Sequence, residues 1–376
     1  MQLYKLKELY SISSGLSKPA SQFGYGNPFL SFSIVFNNYH IPSSLIDLVN
    51  TSPLEIKRFS IKRGDVFVTR TSEKLDELGK SCVALQDYEK ATFNGFCKRL
   101  RPIVNESIIL PEYAQYLFRS KQFTNQIIYS CPMSTRASLN EEILNTIVLN
   151  IHSLSEQRHI VDTVGSLDNK IENNNKIIER LIIWKANNYK NALSNIPCQE
   201  YNLLDMVDFI GGTQPPKSEH IYDYKQGYIR FIQNRDYSSE NHLTYIKEST
   251  KNKLCNEYDI MMDKYGEAGK VRFGISGAYN VALAKIDPKN KVYQEWIREF
   301  LNTQEIQQYL FNSSIASTRA SVSENNLMNI KIPVPSKDYI AKFEEKHKII
   351  IKFILKLKQE NKQLENLKKL YLSYYF

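Results

Sequence analysis

Two stretches of the chain repeat apolar residues at helical spacing. From Leu154 to about Leu193 the apolar positions run Ile160, Val164, Leu167, Ile171, Ile178 and Leu181, in steps of three and four interrupted by Asn174. From about Asp338 to Tyr371 they run Phe343, Ile350, Ile354, Leu357, Leu364 and Tyr371, with Asn361 on the same seam. This pattern predicts two long helices. Each follows an extended run, Val148-Leu149-Asn150-Ile151 in one case and Lys331-Ile332-Pro333-Val334-Pro335 in the other. Pro335 disfavours helix before it, and Ser155 and Ser336 are the candidate N-caps. A helix of roughly 38 residues would be about 57 Å long at ~1.5 Å per residue, too long to hide in one small domain. Its stripe needs a partner, and the other helix, running antiparallel, is the expected one; Asn174 and Asn361 on the seams either set its register or point to solvent. The alternative is that each helix packs only on its own domain.

The second half of the chain repeats the first. Ser134-Thr135-Arg136-Ala137-Ser138 recurs as Ser317-Thr318-Arg319-Ala320-Ser321. The same offset pairs Leu117 with Phe300, Ile127 with Leu310, Leu139 with Val322, Leu144 with Leu327, Ile160 with Phe343 and Leu181 with Leu364. Upstream, at shifted offsets, Asp65-Val66 resembles Asp259-Ile260, Gly79-Lys80 resembles Gly269-Lys270, and Gly15 aligns with Gly212. The chain reads as a tandem duplication with diverged loops, which suggests two different ligands of one class. The plan is a first domain over 1–152, a helical segment over 153–198, a second domain over 199–335 and a second helical segment over 336–376.

Between the helices, short β-like runs alternate with turns. Asp65–Thr69, Tyr228–Ile232 and Val281–Ile286 are candidate strands, Gly211–Pro216 marks a turn, and helices are expected over about 112–127 and 295–310. The fold class is α+β.

Composition narrows the functions. The 376 residues, 42% hydrophobic and 24% charged, belong to a folded globular protein. No apolar run reaches the length of a bilayer span and no secretory segment opens the sequence, so a cytoplasmic protein with no membrane partner is expected. The five cysteines form no CxxC pair and have no nearby histidine at ligand spacing, which reads as buried thiols and no metal. A net charge of +9 favours a polyanionic partner, weakly by itself.

Three candidate catalytic patterns fall short. Asn27-Pro28-Phe29 lacks the second proline of an adenine methyltransferase motif and reads as a turn. Gly266-Glu267-Ala268-Gly269-Lys270 is too short for a phosphate loop, with Val271 where Ser or Thr is needed. Asp47 with Glu55-Ile56-Lys57 is the nearest approach to a nuclease cluster, and in so Lys- and Glu-rich a chain it is expected by chance.

Ser155-Glu156-Gln157-Arg158-His159-Ile160, followed by Leu167-Asp168-Asn169-Lys170-Ile171-Glu172, resembles the helical region of specificity subunits of type I restriction-modification enzymes. Gly211-Gly212-Thr213-Gln214-Pro215-Pro216, leading to Tyr228–Ile232, is similar to the start of that family's target recognition domains. The first domain departs from that pattern, with Ser14-Gly15-Leu16-Ser17-Lys18-Pro19 at the corresponding place. The resemblance implies two tandem target recognition domains separated by two long helices paired as an antiparallel coiled coil. It also implies a non-catalytic subunit that reads a bipartite site on double-stranded DNA and recruits two methyltransferase (modification) subunits, which restriction subunits join. S-adenosylmethionine, ATP and Mg²⁺ would then belong to those partners, with no cofactor in this chain. The competing reading is a protein–protein scaffold whose basic charge is incidental.

Arg and Lys read guanine edges or hold phosphates, and Asn and Gln read adenine edges. The candidate DNA-contacting residues are therefore Arg70, Lys74, Lys80 and Arg136 in the first domain. In the second they are Gln214, Lys217, Arg230, Gln233, Asn234, Arg235, Lys264, Lys270 and Arg319. Arg136 and Arg319 are preserved by the repeat, which suits a phosphate contact or a structural ion pair better than base reading.

Overall fold

A computed structural model describes residues 1–131, 137–240, 242–315 and 321–376. It divides into two compact units: residues 1–171 with 362–376, and residues 172–361. The long helices span Leu154–Asn195 and Lys337–Tyr375, close to the predicted segments. Neither forms a unit of its own, because each buries one end among the side chains of unit 1 and the other among those of unit 2.

In unit 1 the opening strand Gln2–Lys5 pairs antiparallel with Val148–Ile151, so the domain closes just before its helix begins. Between these strands lies a four-stranded sheet in the order Tyr10–Ser14, Cys97–Pro102, Val66–Thr69, Ser81–Val83. A smaller sheet of Leu48–Val49, Phe23–Leu30 and Thr92–Phe93 flanks it. The residues of Val66–Thr69 are all buried, as a central strand covered on both faces requires. Asn27-Pro28-Phe29, expected as a turn, lies inside Phe23–Leu30: Phe29 pairs with Thr92 on one side, and Pro28, with no N–H to give, stands opposite Leu48.

Unit 2 repeats the plan. Gln199–Asn202 closes on Lys331–Val334. The sheets run Val207–Gly211, Leu283–Pro288, Ile260–Asp263, Val271–Arg272 and Tyr245–Lys247, Tyr228–Ile232, Gly277–Tyr279, Leu254–Cys255. The strand expected over 281–286 starts at Leu283, because Asn280 turns the chain: its carbonyl accepts from Leu283 N at 3.1 Å and its Oδ1 from Ala282 N at 3.1 Å.

Each helix expected after the sheet is two helices. Pro111–Leu117 is followed by Lys121–Ser130, whose first turn is capped by the Ser120 hydroxyl accepting from Phe123 N. Gln294–Leu301 ends at Asn302, whose side-chain amide donates to the Arg298 carbonyl, and Gln304–Ile315 follows.

The long helices run antiparallel wherever they meet. In unit 2, Asn174 Nδ2 donates to Asn361 Oδ1 at 2.8 Å, Ile178 packs on Ile354 and Leu357, and Asn188 Oδ1 lies 2.9 Å from His347 Nε2. In unit 1, Asp168 meets Lys368 and His159 meets Tyr375. The predicted seam and the alternative are both realised, since Ile160 and Val164 also sit in the core of unit 1, and Ile340 and Phe343 in that of unit 2. Ser336 caps its helix as expected, with Tyr339 N donating to its hydroxyl. For the first helix the cap is Ser153, not Ser155: its hydroxyl accepts from Glu156 N while Glu156 reaches back to Ser153 N, a reciprocal pair that needs Glu three residues after the cap.

Among the described residues no helix is long and apolar enough to cross a membrane, and no group of His, Cys, Asp and Glu is placed to hold a metal ion. Glu55, the anchor of the nuclease-like pattern, caps the helix Pro53–Arg58 through Ser52 and pairs with Lys18, which together hold its carboxyl at about 2.

Candidate nucleic-acid interface

In unit 1, Thr69 ends the central strand in a tight connection, where its N–H donates to the Lys80 carbonyl at 2.9 Å and its carbonyl accepts from Gly79 N at 3.2 Å. Gly79 has φ +71°, and a Cβ there would meet Ile127 Cδ1 at 2.3 Å, so both backbone and packing demand glycine. The next residue, Arg70, is held from two sides: its N–H donates to Phe96 O and its carbonyl accepts from Leu139 N, each at 2.8 Å. That anchors an exposed guanidinium beside the short strand pair Thr71–Ser72 and Ala137–Ser138.

Unit 2 builds the same frame. Asp263 N donates to Lys270 O at 2.9 Å, and Gly269 N to Asp263 O at 2.8 Å. Lys264 N donates to Ala282 O at 2.8 Å, and Val322 N to Lys264 O at 2.9 Å. Gly269 has φ +90°, and its Cβ would meet Leu310, the repeat partner of Ile127, at 2.7 Å. Arg70 thus corresponds to Lys264, and Lys80 to Lys270. Gly15 and Gly212 correspond too: a Cβ at either would come within about 2 Å of a backbone carbonyl oxygen, that of Asn94 at 2.1 Å and of Asn280 at 2.0 Å.

In each unit the predicted cations gather at one end of the sheets. Lys74 is exposed and pairs with Glu77; Lys80 is half-buried. Gln214 is exposed beside Thr213, which bridges to Asn280, and Asn280 N in turn donates to Ile232 O, just before Gln233 and Asn234. Asn234 Nδ2 donates to Tyr265 O, and Gln233 Nε2 to Thr244 Oγ1, so both amides are tied to the protein. Arg235 is exposed, next to the buried Asp236. Lys270 pairs with Glu267. Two residues stand apart from this grouping. Arg230 lies within its strand, paired with Glu240 at 2.6 Å, and Lys217 is exposed on a short 3-10 turn before that strand. Arg136 and Arg319 fall outside the described residues.

Two further cations, Arg272 and Lys98, carry no signal in the sequence. Arg272 binds Asp263 at 2.9 Å and also Glu267; burial raises the Asp263 carboxyl, with Arg272 acting against it. Lys98 donates to Ser14 Oγ at 2.8 Å, and its ammonium is depressed by burial and then by the charge of Arg70, with Glu141 opposing. Arg272 is matched by its two carboxylates, whereas Lys98, half-buried beside the exposed Arg70, is suited to holding a polyanion rather than to proton transfer or nucleophilic attack.

A family model described as the type I restriction modification DNA specificity domain matches residues 1–182 and again 195–370. Among solved structures, the S subunit of a type I restriction-modification system from M. genitalium is similar over 99% of this chain and 94% of its own, at 13% identity and TM-score 0.59, a likeness of fold. The HsdS subunit from Thermoanaerobacter tengcongensis is similar over 99% of this chain and 95% of its own, at 17% identity and TM-score 0.37.

Proposed function

The chain belongs to the family of type I restriction-modification DNA specificity proteins, and from that premise we propose that each unit reads one half of a bipartite duplex target. The observation that carries this reading is the frame built twice. Arg70 and Lys264 occupy the same hydrogen-bonded position, beside loops of unlike sequence. A shared frame under unlike loops is what two half-sites of unlike sequence require, since phosphate contacts set register and only the surrounding side chains discriminate bases.

On this reading Arg70, Lys74, Lys80 and Arg136 serve one half-site. Gln214, Lys217, Gln233, Asn234, Arg235, Lys264, Lys270 and Arg319 serve the other. Arg230, already matched by Glu240, acts by holding its strand. The chain contributes no catalytic group. Two methyltransferase subunits bring S-adenosylmethionine, restriction subunits bring ATP and Mg²⁺, and the long helices set the number of base pairs left unread. The test is long-read mapping of methylation in a host carrying this chain with its companion methyltransferase, compared with a host lacking only this chain. A bipartite N6-methyladenine motif that depends on the chain is expected; an unchanged methylome with the partner expressed and assembled would overturn the reading.

A further inference from the structure

The two units place an ammonium at one site from different strands. In unit 1, Ser14 on the first strand of the sheet stands opposite Lys98, and Lys98 Nζ donates to the Ser14 hydroxyl at 2.8 Å. The corresponding partners in unit 2 are Gly211 and Ala284, as the register fixes: Lys98 also faces Val68 and Ala284 faces Met262, each one residue before the Thr69 and Asp263 of the shared frame. Gly211 and Ala284 leave that place empty of side chain, and Lys264 fills it. Its ammonium lies 3.6 Å from where a Cβ on Gly211 would stand.

We infer that Lys98 and Lys264 are counterparts, each placing an ammonium at the same site to grip a backbone phosphate of its half-site, although they occupy different positions in the repeat. The inference rests on the duplex-reading function proposed above. In unit 2 the lysine of the frame folds back over Gly211. In unit 1 the frame carries Arg70, and the ammonium comes instead from the neighbouring strand, steadied by Ser14. Burial, and then the charge of the neighbouring Arg70, lower the basicity of Lys98, and a bound phosphate offsets both costs. Because a phosphate carries no base identity, losing either lysine weakens binding to every sequence alike.

The experiment titrates the full chain with a mixed-sequence duplex from about 50 to 200 mM salt, where each phosphate contact contributes about 0.9 to the slope of log affinity on log salt. Lys98→Ala and Lys264→Ala are each expected to lower that slope by about one contact. Lys98→Arg is expected to keep it, and so is Ser14→Ala, which removes only the hydrogen bond. The decisive variant moves the arrangement of unit 1 into unit 2. Lys264→Ala with Gly211→Ser and Ala284→Lys should regain the slope that Lys264→Ala alone loses, and this reads out even if Lys98→Ala folds poorly. A wild-type chain with salt-dependent binding whose slope survives Lys98→Ala, or a transplant that restores nothing, overturns the equivalence. A wild-type chain with no salt-dependent binding to duplex overturns the duplex-reading function instead.

Discussion

Lys185 and Lys368 stand at one position of the repeat, each four residues after the paired Leu181 and Leu364, yet they enter unlike sockets. In unit 2, Lys185 is buried between Glu295 at 3.1 Å and Glu299 at 2.8 Å, and Arg298 also binds Glu295. In unit 1, Lys368 lies over the Tyr39 ring at 3.8 Å, reaches Tyr116, and pairs with the partly exposed Asp168 at 2.6 Å. Tyr116 is the repeat counterpart of Glu299. The duplication kept a cation towards the end of each long helix, received by aromatic rings and one carboxylate in unit 1 and by two buried carboxylates in unit 2. In unit 2 the carboxylates divide. Burial raises both, but Arg298 and then Lys185 pull Glu295 back below its ordinary range, while Glu299 stays above it.

A buried charge deprived of its partner costs far more than an exposed one, so the two sockets should respond unequally. Lys185→Met is expected to lower the urea stability of unit 2 by about 3–5 kcal/mol, because two buried carboxylates lose their shared cation. Replacing Lys185, Glu295 and Glu299 together with apolar residues should recover most of that loss. A single variant as stable as wild type would show that Arg298 alone neutralises the socket.

The same region sets a pH response that unit 1 lacks, since the counterparts of Glu344 and His347 are Val161 and Val164. Burial, helped by Glu295, raises Glu344 from the ordinary 4.5 to about 7, against the Trp296 N–H and Lys348. The fold therefore binds this proton more tightly than the unfolded chain does. The stability it contributes is full below about pH 4.5 and is lost as pH rises to about 7. His347 is held at about 3 by burial and then by Lys185, so its contribution is present above pH 6.5 and is lost as pH falls towards 3. The two oppose each other between about pH 4.5 and 6.5. Glu344→Gln should leave a urea midpoint that rises with pH across that window, and His347→Gln one that falls; a flat profile in both would remove the titration from this cluster.

At the seam, Asn174 and Asn361 bond side chain to side chain within the buried helix contact of unit 2. Asn174→Leu should cost about 1–2 kcal/mol, because the Asn361 acceptor loses its donor. The double change to Leu should cost less than the single, as read by a double-mutant cycle.

What could be read in advance follows from what leaves a periodic trace. The apolar seam recurs every three or four residues, and the repeat holds a constant offset, so both helices, their pairing and the duplicated α+β domains were legible. Gly15 with Gly212 and Gly79 with Gly269 also matched, because a close backbone approach or a positive φ admits only glycine in each copy. Ser155 and Ser153 are alike as caps in the sequence, and only the reciprocal Glu156 distinguishes Ser153. Lys98 escaped because its hydrogen-bond partner Ser14 is remote in sequence and its counterpart Lys264 sits at another position of the repeat. Lys185 and Lys368 align in the sequence, but their sockets come from distant segments and have diverged in residue type.

The smallest effect belongs to the aromatic socket. Lys368→Met keeps the aliphatic stem against Tyr39 and Tyr116 and removes only the charge. Asp168 then retains the Tyr116 hydroxyl, which donates to its Oδ2 at 2.9 Å, and remains open to water. An ion pair that solvent can replace, with a close cation–π contact to Tyr39 and a longer one to Tyr116, is worth about 1 kcal/mol. Lys368→Met is therefore expected to lower stability by about that amount, several-fold less than Lys185→Met. Lys368→Ala, which also strips the stem from the two rings, should cost more than Lys368→Met, because packing outweighs charge in this socket. If Met and Ala cost the same, the charge itself holds the end of the helix in unit 1, and the contrast between the two sockets reduces to their burial.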